Sequence, residues 1–235
     1  MLNPSKLAPC IVVAPHATEN CPILEFKGAL ETGTHFSLDI GIKEFALSFA
    51  DEPDLTVVLG DVGRLAIDLN RDLDEAFFSP RPASVPFIEK DQDREFLKGL
   101  YADFHARVAS ETERHVNRRN TPLLVELHSY TRMWNGTPRK VDVGVCDHRL
   151  DAMAHHALKV LKTTLPEGLS VCLDEPYPGA PPGAFFGRTY HKQGAKTVVF
   201  EVCDDLIDTE PKRNALLPHL KSAIQTLRSP EYMYA

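Results

Sequence analysis

Four short, nearly unbroken apolar runs are spread along the chain: Ile11-Val12-Val13-Ala14, Leu55-Thr56-Val57-Val58-Leu59, Leu123-Leu124-Val125-Glu126-Leu127 and Thr197-Val198-Val199-Phe200-Glu201-Val202. A strand that is apolar at every position is covered on both faces, as in a parallel sheet sandwiched by helices. Between the runs the sequence takes a helical period. Asp91 to Arg118 carries Phe96, Leu97, Leu100, Phe104 and Val108 on one stripe, and helices are also predicted over Phe36 to Phe49, Leu150 to Leu165 and Pro211 to Leu227. Further strands are expected at Arg64–Arg71, Val141–Val145 and Ser170–Leu173. Strand and helix alternate from end to end without a repeat or a linker. The expected fold is therefore α/β and three-layered, a mixed, largely parallel sheet with helices on both faces, in a single domain over residues 1–235.

Bulk properties narrow the function. A formal net charge of −7 argues against a general nucleic-acid binder, and no apolar run reaches the roughly twenty residues of a membrane helix. The opening Met1-Leu2-Asn3-Pro4-Ser5-Lys6 lacks the apolar core of a signal peptide. Five cysteines, with no CxxC spacing, read as reduced packing residues, so a cytoplasmic location is expected. The oligomeric state is not legible.

The chemistry gathers where the apolar runs end. His16 follows the first run, with Glu19 three residues on, and His128 follows the third. Functional groups in open α/β sheets collect at the carboxyl ends of strands. Two imidazoles and one carboxylate form a common protein set for catalytic zinc, which keeps its fourth position for water. The expected ligands are His16, Glu19 and His128 around one Zn²⁺, although such a set also accepts other divalent ions. Cys21 is a weaker alternative ligand. Glu201 is a carboxylate inside an apolar strand, costly unless it has work there, and suits a general base beside a metal-activated water. In Asp68-Leu69-Asn70-Arg71, the Arg71 fork and the Asn70 amide suit the carboxylate of a small acidic substrate, and Arg64 could reach the same cavity to polarise a carbonyl. Trp134 and Tyr177 lie in loops able to close the pocket, the latter within the segment from Pro176 to Gly183.

Taken together, the His16-xx-Glu19 spacing, the string Asp68 to Arg71, the segment Glu126-Leu127-His128-Ser129 and the late strand with Glu201 resemble the N-formylglutamate amidohydrolase family. That family is related to the zinc carboxypeptidases and to the aspartoacylase and succinylglutamate desuccinylase group. The likeness extends to Tyr101–His105, Asp142–Gly144 and Tyr177–Ala180. It implies a zinc-exopeptidase-like fold, with zinc on His16, Glu19 and His128 and with Glu201 as base and later proton donor. It further implies that Asn70 and Arg71 hold the α-carboxylate and that Arg64 assists the oxyanion. The chain departs from the family at Ala17-Thr18-Glu19-Asn20, at Tyr130 and in the Tyr177 loop, which bears on the acyl group.

The expected activity is zinc-dependent hydrolysis of the acyl-amide bond of a small N-acyl amino acid. One alternative is a carboxypeptidase-like enzyme acting on peptides, including cell-wall peptides; another is a non-catalytic carboxylate-binding protein. A hydrolase built on Cys203 or Ser129 is disfavoured by the absence of a GxSxG elbow.

Overall fold

The structure of the protein, a computed structural model, describes residues 7–177 and 185–234. Six of the seven predicted strands form one sheet. Strands β1 (Cys10–Ala14), β2 (Leu55–Leu59) and β3 (Leu123–Tyr130) appear where the apolar runs place them. A short hairpin, β4 (Met133–Trp134) with β5 (Thr137–Pro138), follows β3 and pairs only with itself. Strands β6 (Val143–Cys146), β7 (Val171–Leu173) and β8 (Lys196–Cys203) complete the main sheet, whose order is β2-β1-β3-β8-β6-β7. The pairs β1·β2, β1·β3 and β3·β8 are parallel; β6 runs antiparallel to β8 and parallel to β7.

Helices cover both faces. The minor helix α1 spans Lys27–Leu30, and α2 spans Ile42–Leu47. Long α3 (Asp91–Val116) buries Leu97, Tyr101, Phe104 and Val108, a spacing of three to four residues that keeps one stripe against the sheet. The remaining helices are α4 (Met153–Thr164), α5 (Phe185–Lys192), α6 (Glu210–Leu227) and short α7 (Pro230–Met233). Alternate residues of β1 part into two cores. Cys10, Val12 and Ala14 join side chains of α2, α4 and α6, whereas Ile11 and Val13 join those of α3 and the loop from Val62 to Leu69.

Two expectations are corrected. Helix does not begin at Phe36; it begins at Ile42, after Gly41 turns the chain with φ 75°. A Cβ at Gly41 would lie 2.4 Å from the Ile207 carbonyl oxygen, so the turn requires glycine. Nor is Arg64–Arg71 a strand. Ala66 and Ile67 donate back to the Gly63 carbonyl, and Asp68 accepts from the Asn70 amide two residues on, so the stretch closes on itself as successive turns. Its apolar residues Leu65, Ala66, Ile67 and Leu69 are consecutive in burial and not alternating. Of the predicted loop from Pro176 to Gly183, residues 178 to 183 lie outside the described residues.

Candidate active site

On the α3 side of the sheet, apolar packing gives way to polar groups towards the strand ends. β3 places Leu124, Glu126 and His128 on that face, and its parallel partner β8 sets Glu201 directly opposite His128. The antiparallel neighbour β6 sets Gly144 opposite Glu201. A Cβ at Gly144 would fall 1.8 Å from the Glu175 carbonyl oxygen, so only glycine lets that backbone lie over the sheet here.

His16, just beyond β1, and His128 are both buried, with rings 4.9 Å apart. Between them lies Asp39, whose backbone amide donates to the His16 carbonyl at 3.0 Å. The Asp39 carboxylate accepts from the Ser129 amide at 3.2 Å, and the Ser129 hydroxyl donates to the Ile40 carbonyl. Asp39 Oδ2 is thereby held 2.8 Å from His128 Nδ1 and 3.6 Å from His16 Nδ1. Arg64 forms an ion pair with the other oxygen of the same carboxylate.

Each imidazole is fixed from behind by a second carboxylate. His16 Nε2 donates to Asp68 Oδ1 at 2.8 Å, and His128 Nε2 donates to Glu126 Oε1 at 2.7 Å. With the protons on Nε2, both Nδ1 lone pairs turn toward Asp39. His16 Nδ1 is buried with no hydrogen-bond partner. With both Nδ1 atoms unprotonated, two lone pairs and a carboxylate oxygen converge in an arrangement that a cation satisfies, and a carboxylate behind each ligating histidine is its usual support. His16, Asp39 and His128 bring ligand atoms within 4.8 Å of one another, and this is the one such group among the described residues.

The electrostatics follow from burial. Burial and the nearby Arg64 charge outweigh Asp68 and lower the His16 imidazole to about 4, leaving it neutral. Burial alone would raise Asp68, but its interaction with His16, with Arg64 and Ser79, holds it well below the usual carboxylate range. His128 would be lowered by burial; the Glu126 hydrogen bond and charge, aided by Glu201, raise it instead. Glu201 itself is raised, chiefly by burial, against the opposing charges of His128 and Arg64.

The other expected residues divide. Glu19 stands outside the ligand group: its carboxylate accepts from the Gly33 amide at 2.6 Å and from the Ser37 hydroxyl at 2.7 Å, and so secures the loop that carries Asp39. Cys21 is buried in the apolar core. Asn70 turns its amide toward His128, with Nδ2 3.1 Å from Nε2. Arg64, Arg71, Trp134 and Tyr177 line one cavity of about 320 Å³ together with His35, Asp68, Ser129 and Arg139. A larger and shallower groove of about 1060 Å³, between β2 and α3, contains none of these groups.

Asp39, Glu126 and the supporting role of Asp68 escaped the reading of the sequence. A signal was available for the first two. Asp39 stands between Leu38 and Ile40, and Glu126 inside an apolar strand, the same costly setting that singled out Glu201.

Known proteins share this fold. No curated protein sequence matches the chain. In structure it is similar to gene product Atu2144 from Agrobacterium tumefaciens, with a TM-score of 0.77 at 22% identity, covering 93% of this chain and 90% of that one. It is also similar to N-formylglutamate amidohydrolase from Ralstonia eutropha JMP134, with a TM-score of 0.65 at 15% identity, covering 98% of this chain and 95% of the other. These likenesses establish the fold, a mixed, mostly parallel α/β sheet with helices. The family model for N-formylglutamate amidohydrolase matches residues 8–207, a span that begins before β1 and runs past Glu201. Since that span takes in both strand-borne histidines, the carboxylates around them and the cavity beside them, the chain belongs to the N-formylglutamate amidohydrolase family and is a hydrolase of amide bonds.

Proposed function

We propose that the protein is a divalent-metal amidohydrolase, zinc being the metal, that cleaves the acyl-amide bond of a small N-acyl amino acid of the N-formylglutamate kind. The observation that carries this reading is the meeting of His16, Asp39 and His128, each histidine backed by its own carboxylate. In the proposed ligand set Asp39 takes the position expected of Glu19, whose oxygen is engaged by Gly33 and Ser37. A divalent ion held there would lower the pKa of a water to about 7 and polarise the scissile carbonyl.

The chain's own residues supply the rest. Glu201 accepts a proton from the attacking water and returns it to the leaving nitrogen, a task helped by the burial that raises its carboxyl above the ordinary value. Arg64, in the cavity wall, donates to the carbonyl oxygen as negative charge develops. Arg71 receives the substrate's α-carboxylate; Asp68 takes its Nε at 3.1 Å and thereby orients the guanidinium. Asn70 acts with it at the same carboxylate. Trp134 and Tyr177 bound a cavity whose volume suits a small molecule better than a peptide. A cytoplasmic location belongs to the same reading, supported by five unpaired cysteines.

A hydrolysis screen of N-formyl, N-acetyl and N-succinyl amino acids, with and without zinc, tests the proposal. Turnover of at least one series, abolished by chelation and restored by zinc, is the expected result. Preference for long peptides would favour a carboxypeptidase-like enzyme, and binding without any turnover would favour a carboxylate-binding protein.

A further inference from the structure

The main sheet ends in two edge strands that differ in how well they are protected. β7 has three residues, a shortness that blunts an edge. β2 runs for five, Leu55-Thr56-Val57-Val58-Leu59, in unbroken register with β1 and without a lysine or a proline. Four of the five stay partly exposed, whereas β1, of similar composition, is buried throughout. The Asp54 carbonyl accepts from the Cys10 amide and the Gly60 amide donates to Ala14, so the even-numbered residues turn their backbone groups toward β1. The N–H and C=O groups of Leu55, Val57 and Leu59 therefore point away from the sheet, and among the described residues none of them is paired.

This edge borders the groove of about 1060 Å³ beside α3, and none of the groove's lining residues belongs to the cavity at the histidines. Its wall is a row on α3, Asp103, Arg107 and Glu111, four residues apart and alternating in sign. Ala106 and Ser110 lie between them, small and exposed, and leave the groove open. Helix and strand run in opposite directions. The Thr56 hydroxyl donates to the Glu111 carboxylate at 3.3 Å, and Arg107 reaches Asp61, beyond the other end of β2, at 3.0 Å. Four residues of helix rise about 6 Å and two of strand about 6.6 Å, so Glu111 stands level with Thr56 and Arg107 level with Val58. The Arg107–Asp61 pair is half-exposed, and an ion pair so placed holds its members weakly.

We propose that β2 pairs antiparallel with β2 of a second copy of this chain, about a twofold axis at Val57, and so joins two sheets into one. The three outward-facing residues are centred on Val57 and are complementary to themselves. Val57 exchanges both backbone bonds with Val57 of the second copy, and Leu55 does so with Leu59 at either end, about six hydrogen bonds in all. The same rotation exchanges the levels of Thr56 and Val58. Glu111 then meets Arg107 of the second copy, and the contact occurs twice. A foreign strand would satisfy the backbone as well, but the alternating charge row is matched by its own reversal.

Sedimentation velocity over a dilution series tests this on the zinc-supplemented wild type, on Arg107→Glu, on Glu111→Arg and on an equimolar mixture of the two variants. The wild type is expected to be dimeric at about 100 μM and to dissociate on dilution. Either substitution alone sets like charges against each other at both contacts and weakens the dimer by about 10- to 100-fold. In the mixture both contacts again join opposite charges, so dimers return as pairs of unlike chains, a recovery that also shows both variants to be folded. A wild type still monomeric at about 100 μM overturns the inference and leaves the edge to a strand of some other protein. A dimer indifferent to both substitutions, or a mixture that stays monomeric while the wild type pairs, overturns it as well.

Discussion

The two faces of β3 divide the labour of the molecule. Leu123, Val125 and Leu127 point into one core, where nothing but packing is asked of them. On the opposite face Leu124 is followed by Glu126 and His128, buried just as deeply and each needing a partner. The contrast teaches that burial means different things on the two sides of a single strand. On the first face it stabilises the fold, and on the second it sharpens every charge and fixes the tautomer of an imidazole.

Substitutions on either face should separate these roles. Breaking the polar face at Glu201 should have the largest effect. Glu201→Gln is expected to lower kcat by about 10²- to 10⁴-fold with metal content and thermal stability unchanged, as read by steady-state kinetics and metal analysis. Next is the apolar face: Leu127→Ala should cost about 2–5 kcal/mol of unfolding free energy in a denaturant titration, while the folded fraction keeps its metal. Glu126→Gln sharpens the comparison from within the polar face. It preserves shape but removes the charge behind His128, so metal affinity should fall by about 10- to 100-fold with little loss of stability.

The smallest effect concerns a partly buried histidine outside the ligand group. His105, on α3, meets the Tyr190 hydroxyl at 3.1 Å, and burial lowers it to about 4 from 6.5. The unfolded chain binds this proton at a pH where the folded chain refuses it. Its contribution is thus fully present above pH 6.5 and is lost as pH falls from 6.5 towards 4. Urea titrations at pH 7 and pH 5 should show His105→Gln losing less stability than the wild type between them, by up to about one proton's worth of linkage.

Much of the fold was legible because the central strands are apolar on both faces. No other element explains runs such as Ile11 to Ala14, and long α3 announced itself by its stripe. The misread segments are those where tertiary ties overrule a local period. Phe36 to Gly41 has the apolar content of a helix, yet Asp39 is bound to the His16 carbonyl and to the Ser129 amide, which holds the chain open until Ile42. Leu65, Ile67 and Leu69 alternate like a strand but fold into turns around the Asp68 carboxylate.

The site was legible in part. His16, His128 and Glu201 stand at or near strand ends, where an isolated polar residue is conspicuous. Glu19 has the right spacing from His16, but spacing in sequence does not say that Gly33 and Ser37 engage its carboxylate.

The central claim is that Asp39, together with His16 and His128, holds the ion, with Glu19 serving the loop behind it. Metal analysis after zinc loading and desalting tests this directly, on the wild type, Asp39→Asn and Glu19→Gln. The expected result is about one zinc per chain in the wild type and in Glu19→Gln, and a strong loss in Asp39→Asn. Retention of zinc by Asp39→Asn together with its loss from Glu19→Gln would contradict the claim.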